Sequence, residues 1–284
     1  GVGRINCVQF HPTNPDVYYV GAPSGGLWRT ENDGGSWEVL TDHLPTLGVS
    51  AIVVDHQNPN ILYIGTGDRD GGDAPGLGIM KSVDGGVTWV EKNTNLGQQE
   101  IHALVQDPED ANILIAATEG GLFRTTDAAE TWTLTSFLSI TFKDLRMHPG
   151  NHNVLYAVAG PRLFRSVDNG INWEVNSTLP VGSRLVIAVT PADPNVVYGL
   201  MSASDDGLFG VYRSEDSGET FTEMATSPNI LGRSVDGSGT GGQSWYDLAI
   251  SVSHTNANDV FAAGIRVFRS TDGGVTWGHF SDGV

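Results

Sequence analysis

Cysteine is almost absent. Cys7 alone stands among 284 residues, so no internal disulfide staples the chain. Its neighbours Ile5 and Phe10 give it the setting of a small buried hydrophobe rather than of a reactive thiol. Positive charge is scarce too: 15 Lys and Arg against 33 Asp and Glu leave a net charge of −18. A surface this acidic opposes binding to a phosphate backbone, which argues against a nucleic-acid partner. No apolar run approaches the ~18 residues of a membrane span, and no segment carries a convincing helical period. Zinc-type His/Cys spacing, a nucleophile elbow and a phosphate-binding loop are all missing. The chain has neither an initiator Met nor a signal peptide, so it reads as a processed protein or a portion of a longer parent chain. That absence gives no argument for the cytoplasm.

Glycine, by contrast, is abundant at 37 residues, and it recurs in register. Ser82-Val83-Asp84-Gly85-Gly86-Val87-Thr88-Trp89 is one of six octapeptides that follow Ser/Thr, any, Asp/Asn, any, Gly, any, Ser/Thr, aromatic, with Ala129 and Asn172 each departing at one position. The others start at Thr30, Thr125, Ser166, Ser214 and Ser270, and Arg or Lys precedes each copy. Their third positions are Asn32, Asp84, Asp127, Asp168, Asp216 and Asp272. The pattern suits a turn between strands. The acid accepts backbone N–H bonds in an Asx-type turn, Gly supplies a positive φ, and the aromatic enters the core.

Around each octapeptide the repeat extends to four short strands. An apolar strand such as Ile101–Gln106 is followed by a Pro/Asn/Asp turn and a short strand such as Ile113–Ala116. A third strand runs into the octapeptide and a fourth leaves it. Four strands per unit at a period in the forties predict an all-β propeller of four-stranded antiparallel blades. Six blades are visible, with the possibility of a larger ring left open. They form a single domain over 1–284, with blades near 1–45, 46–97, 98–138, 139–180, 181–228 and 244–284. Register makes six of the seven tryptophans core. Five close an octapeptide, and Trp28 shares a column with Met80, Phe123, Phe164, Tyr212 and Phe268.

In such a blade the octapeptide and the first-to-second turn share one face, and both are nearly constant here, so that face reads as scaffold. The opposite face carries variable loops, where binding or catalysis usually sits. They are Gly65–Gly78, Ser202–Gly207 and the insertion from Thr226 to Tyr246. The ligand-binding candidates are accordingly Asp68, Asp70, Asp205, Asp206, Arg233, Trp245 and Tyr246. Asp68, Asp70 and Asp73 have a spacing that suits Ca²⁺ through oxygen ligands, a solvated acidic loop being the other reading. No other cofactor is implied, and no catalytic residue is assigned. Trp245 and Tyr246 lack repeat counterparts; a sugar platform and a plug between blades are both open. Of the arginines, Arg4, Arg146, Arg184 and Arg233 stand outside the octapeptide register, and no sialidase-type arginine triad is recognised.

With its six octapeptides the chain resembles the Asp-box (bacterial neuraminidase repeat) propellers over its whole length. That group holds sialidases, xyloglucanase-type glycoside hydrolases, sortilin-type receptor ectodomains and photosystem-assembly propellers. The runs Gly3–Phe10 and Gly21–Arg29 look most like sortilin-like propeller regions of large secreted Bacteroidota proteins exported by type IX secretion. The xyloglucanase-type enzymes place a catalytic Asp just before an Ile-Gly-Gly-Ala-Tyr-Arg run. Here the matching run is Ser24-Gly25-Gly26-Leu27-Trp28-Arg29, and Pro23 occupies the acid's position. The resemblance therefore implies an extracellular or cell-surface module within a larger secreted protein, binding a glycan or a protein ligand at the variable face. The alternatives are a glycoside hydrolase using loop carboxylates and a scaffold subunit of a surface assembly.

Overall fold

The computed structural model of the protein describes residues 4–72 and 74–282. The chain is all-β, and no helix occurs among the described residues. Its strands form six four-stranded antiparallel sheets in simple sequential order, the blades of a six-bladed propeller. Blade one runs Cys7–Phe10, Tyr18–Ala22, Gly26–Thr30 and Glu38–Val39; blade two runs Val49–Val54, Leu62–Thr66, Ile79–Ser82 and Val90–Glu91. Blade three holds Ile101–Gln106, Leu114–Thr118, Gly121–Thr125 and Thr133–Leu134, and blade four Asp144–Met147, Leu155–Ala159, Arg162–Ser166 and Glu174–Val175. Blade five spans Arg184–Val189, Val197–Ser202, Leu208–Ser214 and Thr222–Ala225; blade six spans Ala249–Val252, Val260–Ala263, Arg266–Ser270 and Gly278–Asp282. Two compact units divide the chain, Gly1–Leu145 and Arg146–Val284, with the boundary inside the first strand of blade four.

Period-two alternation gives each blade two faces. One carries the column of Tyr19, Tyr63, Tyr156 and Tyr198 and meets the following blade; the other carries Met80, Phe123, Tyr212 and Phe268 and meets the preceding one. In the first unit Tyr19, Leu27 and Leu40 of blade one pack on Ile52, Leu62, Ile64 and Met80 of blade two. In the second, Tyr198, Leu200 and Val211 of blade five pack on Val260, Ala262 and Phe268 of blade six. Each such side chain contributes about 1.5–3 kcal/mol on burial. The blades approach closely enough that a Cβ at Gly21 would lie 2.8 Å from Val49 Cγ1, so only glycine fits there.

The octapeptide is a side-chain-locked turn. In blade two, Thr88 N–H donates to Asp84 Oδ1 at 2.9 Å and Thr88 Oγ1 to Asp84 Oδ2 at 2.6 Å. Ser82 Oγ donates to the same acid at 2.7 Å and accepts from Gly86 N–H at 2.8 Å. The fourth and fifth positions are left-handed in every copy, including Ala128 at φ 57° and Ala129 at φ 72°. The fourth-position N–H bonds the first hairpin's turn, as in Gly85 to Asn60 O at 2.9 Å and Ser217 to Asn195 O at 2.9 Å. Octapeptide and hairpin turn thus share one edge of each blade.

The basic residue before the octapeptide reaches the next blade. Arg29 Nη1 donates to Gly85 O at 3.2 Å, Lys81 Nζ to Ala128 O at 3.0 Å and Arg165 Nε to Ser217 O at 2.8 Å. Tyr156 Oη adds a bond to the same Ser217 carbonyl at 2.9 Å. The tryptophan assignment needs correction. Trp132 and Trp173 are buried, but Trp28 and Trp37 of blade one are each more than a third exposed. Their register is that of core residues, so register alone does not decide burial here.

Candidate functional site

Each unit has a cluster at its variable loops. In the first unit the long loop after the second strand of blade two, Gly67–Gly78, is rooted in a charged network. Asp68 is buried and ion-paired with Arg4. Ser50 Oγ donates to Gly67 O at 2.8 Å and accepts from Asn6 Nδ2 at 3.0 Å and Arg69 N–H at 3.2 Å. Arg69 Nε meets Asp70 Oδ2 at 3.0 Å, and Lys143 Nζ lies 3.7 Å from Asp70 Oδ1. Burial pulls the Arg69 guanidinium towards neutrality, but the carboxylates of Asp70 and Asp144 outweigh it and raise its pKa. Burial pushes the Cys7 thiol up to about 12, against the pull of Arg69, so Cys7 is no nucleophile.

This network fixes the role of the loop acids. Asp68 and Asp70 point at cations of their own unit. A Cβ at Gly71 would lie 2.6 Å from Asp68 Oδ2 and 3.2 Å from Arg4 Nη1, so the loop folds directly over the pair. Among the described residues no group of three His, Cys, Asp or Glu is placed to hold a metal ion. Asp73 lies outside the described residues. Deeper in the same unit, buried His102 has Nε2 at 3.1 Å from Glu100 Oε2 and Nδ1 at 2.9 Å from Phe142 O.

In the second unit the insertion before blade six folds onto the Ser202–Gly207 loop of blade five. Asn229 organises it: its Oδ1 accepts from Leu208 N–H at 2.8 Å, and its Nδ2 donates to Gly239 O and Gly241 O at 3.0 and 2.9 Å. Asp205 takes Gly207 N–H at 3.1 Å and Gly241 N–H at 3.1 Å. Asp206, in the left-handed region at φ 65°, accepts from Ser244 Oγ at 2.9 Å. Arg184 Nη1 then donates to both Ser244 O and Trp245 O, at 2.9 and 2.8 Å. The outcome is a clamped backbone that presents Trp245, 59% exposed, beside Tyr246 with ring centroids 5.3 Å apart. Arg233 is exposed further along the insertion, and its carbonyl accepts from Arg266 Nε at 2.6 Å.

The structure therefore brings Asp68 and Asp70 together in one unit and Asp205, Asp206, Trp245 and Tyr246 in the other. Arg233 is joined to its surroundings through its backbone. Sequence reasoning missed the roles of Arg69, Lys143 and Asp144, which carry no periodic signal. It had a usable signal for Arg4 and Arg184: both stand outside the octapeptide register. Pro23, where the xyloglucanase-type motif has its acid, is buried at the turn between the second and third strands of blade one.

No family model matches the chain. Xyloglucanase Xgh74A of Acetivibrio thermocellus is 32% identical over 148 residues, which is 47% of this chain and 18% of that protein. The xyloglucanase of Hypocrea jecorina is 29% identical over 157 residues, 50% of this chain and 19% of that protein. The chain thus spans less than a fifth of the length of either relative. Among solved structures, the Niastella koreensis GH74 enzyme superposes with a TM-score of 0.71 at 21% identity, covering 99% of this chain and 46% of that one. YCF48 bound to D1 peptide gives 0.66 at 17% identity, with 98% and 82% covered. The fold is that of these propellers.

Proposed function

We propose that the chain is the β-glucan-handling propeller of a glycoside hydrolase of the xyloglucanase type, acting on a xyloglucan-like polysaccharide. The observation that supports this reading is the likeness of about half the chain to proteins named as xyloglucanases from a bacterium and a fungus. The clamped Trp245–Tyr246 pair fits it. An indole face held rigid in solvent suits the apolar face of a pyranose ring, and few rotamers are lost on binding. The six side-chain-locked octapeptides, five closed by Asp and one by Asn32, support the Asp-box reading of the repeat. A polymeric glucan is met outside the cell, so an extracellular or cell-surface location goes with this substrate.

Pro23 favours a second reading, a glucan-binding propeller that does not cleave. Proline cannot transfer a proton, and hydrolysis needs two carboxylates flanking the bond. Asp68, Asp205 and Asp206 are each bonded to groups of the protein itself, to Arg4, Gly241 N–H and the Ser244 hydroxyl. Incubation with purified xyloglucan, followed by a reducing-end assay and affinity electrophoresis in the same polymer, separates the readings. The hydrolase reading expects new reducing ends together with retarded migration, the second reading retarded migration alone. Unretarded migration without cleavage contradicts both.

A further inference from the structure

The turn between the first two strands of a blade is capped by the side chain that opens it. Asp55 Oδ1 accepts Gln57 N–H and Asn58 N–H at 2.8 and 2.9 Å, and Asp107 Oδ1 accepts Glu109 N–H and Asp110 N–H at 2.7 and 3.0 Å. Thr190 Oγ1 accepts Ala192 N–H at 3.1 Å. Blade four uses an imidazole instead. His148 is 8% exposed, and its Nδ1 accepts Gly150 N–H at 3.0 Å. An imidazole nitrogen that accepts a hydrogen bond carries no proton, so this contact assigns the tautomer: Nδ1 is bare and Nε2 is protonated. Nε2 lies 3.2 Å from Ser217 Oγ, which donates in turn to Asn195 Oδ1 at 3.1 Å.

This relay crosses from blade four to blade five. Ser217 is the fourth residue of the blade-five octapeptide, at φ 58°, and its carbonyl already takes Arg165 Nε and Tyr156 Oη at 2.8 and 2.9 Å. Its hydroxyl is no activated nucleophile, because the Nε2 facing it holds the proton that a general base would have to accept. The charged groups on the elements packed here come from both blades. On blade four they are Arg165 and, in the same turn, His152; blade five brings Asp193 from its hairpin turn and Asp216 and Glu219 from its octapeptide. The acids are engaged: Asp193 Oδ1 accepts Asn195 N–H at 3.1 Å, Asp216 Oδ1 accepts Thr220 N–H at 2.9 Å, and Glu219 lies 3.3 Å from Arg165 Nη2. Burial pushes the imidazole pKa below its ordinary value, and the Arg165 guanidinium adds to that. His148 is therefore neutral at pH 7.

We propose that His148 is an acid-sensitive latch between blades four and five: a proton on Nδ1 breaks the Gly150 cap and releases the turn from the blade-five octapeptide. An imidazolium has two N–H donors and no acceptor, so neither rotation nor a flip of the ring restores the bond to Gly150 N–H. The ring is driven off the turn and takes the Ser217 contact with it. Asp or Thr, the residues that cap the turns of blades two, three and five, would hold at the same acidity, since neither changes charge until ordinary carboxylates titrate near pH 4. The folded pKa lies below the unfolded value of about 6.5. The latch therefore contributes in full above that pH and is lost as pH falls below it.

Amide hydrogen exchange followed residue by residue by NMR, at pH 7.5 and pH 5, tests this. After correction for intrinsic exchange rates, Gly150 N–H and Ser217 N–H, the latter bonded to Asn195 O at 2.9 Å, are expected to lose protection several-fold at pH 5. Gln57 N–H, capped by Asp55, is expected to keep its protection. His148→Asp supplies the acceptor of blades two and three and should hold both amides at either pH. His152→Gln, in the same turn, should leave the wild-type loss in place. In the wild type, imidazole nitrogen-15 shifts report the proton directly: Nδ1 should be bare at pH 7.5, and its protonation should coincide with the loss of protection. Equal protection at the two pH values overturns the proposal. So does a His148→Asp protein that loses protection as the wild type does, a loss that disappears in His152→Gln, or an Nδ1 that bears the proton at pH 7.5.

Discussion

The acid of the octapeptide is a structural anion. Hydrogen bonds from the Thr88 hydroxyl, Thr88 N–H and Ser82 hydroxyl hold the Asp84 pKa at about 2. Those from Thr125 and Thr131 do the same for Asp127. Asp272, held first by Thr276, is also at about 2. Their folded pKa lies below the unfolded value of about 3.9, so the stability they contribute is present above pH 4 and is lost as pH falls from about 4 to about 2. Urea unfolding between pH 6 and pH 2 should steepen in that window. Asp127→Asn should flatten the curve, because an amide cannot lose a proton-linked bond. Asn32 shows that the geometry survives: its Oδ1 accepts Ser36 N–H at 2.7 Å and its Nδ2 donates to Ser36 Oγ at 3.0 Å. Solvent exposure keeps each such contribution small. Unchanged pH dependence in Asp127→Asn would remove the acid from this role. At the neighbouring position, Ala128 bears a left-handed φ that Gly85 and Gly273 carry elsewhere. Ala128→Gly should therefore raise the thermal midpoint, a gain of about 1 kcal/mol; a fall would mean that its methyl packing outweighs the strain.

At the scale of elements, the blades were legible because each signal repeats six times. Octapeptide, hairpin turn and apolar strand each announce themselves in register, and the observed strands follow that order. The repeat also placed the arginines on scaffold, and their job is now specific: they tie a blade to the next one's turn. Arg165→Met should lose the 2.8 Å bond to Ser217 O and cost about 1.5–3 kcal/mol, measured by urea denaturation. A loss near zero would mean that Tyr156, bonded to the same carbonyl, carries the tie. What was not legible is whatever breaks the repeat. The loop acids stood out as candidate ligands, but their partners within the fold did not: Asp68 pairs with Arg4 and Asp205 accepts from Gly241 N–H, 64 and 36 residues away in sequence. Nothing periodic pairs such positions. The exposure of Trp28 was hidden for the opposite reason, since its column predicts burial.

For the molecule as a whole, the scaffold is separable from the surface that would meet a ligand. Locked octapeptides occupy one edge of each blade, joined in blades one, two and four by the basic ties, while the loops with side chains outside the repeat lie at Gly67–Gly78 and in the insertion before blade six. In the second unit Asp205 and Asp206 hold loops together, and the aromatic pair beside them is the chemistry on which the proposed glucan contact rests. The central claim is that a β-glucan stacks on Trp245. Affinity electrophoresis in xyloglucan gels, with wild type run beside Trp245→Ala, tests it most directly. Arg184 and Ser244 hold the backbone rather than the ring, so the variant should stay folded while its affinity falls about tenfold, the loss of one stacked ring. Equal retardation of the two proteins would contradict the account.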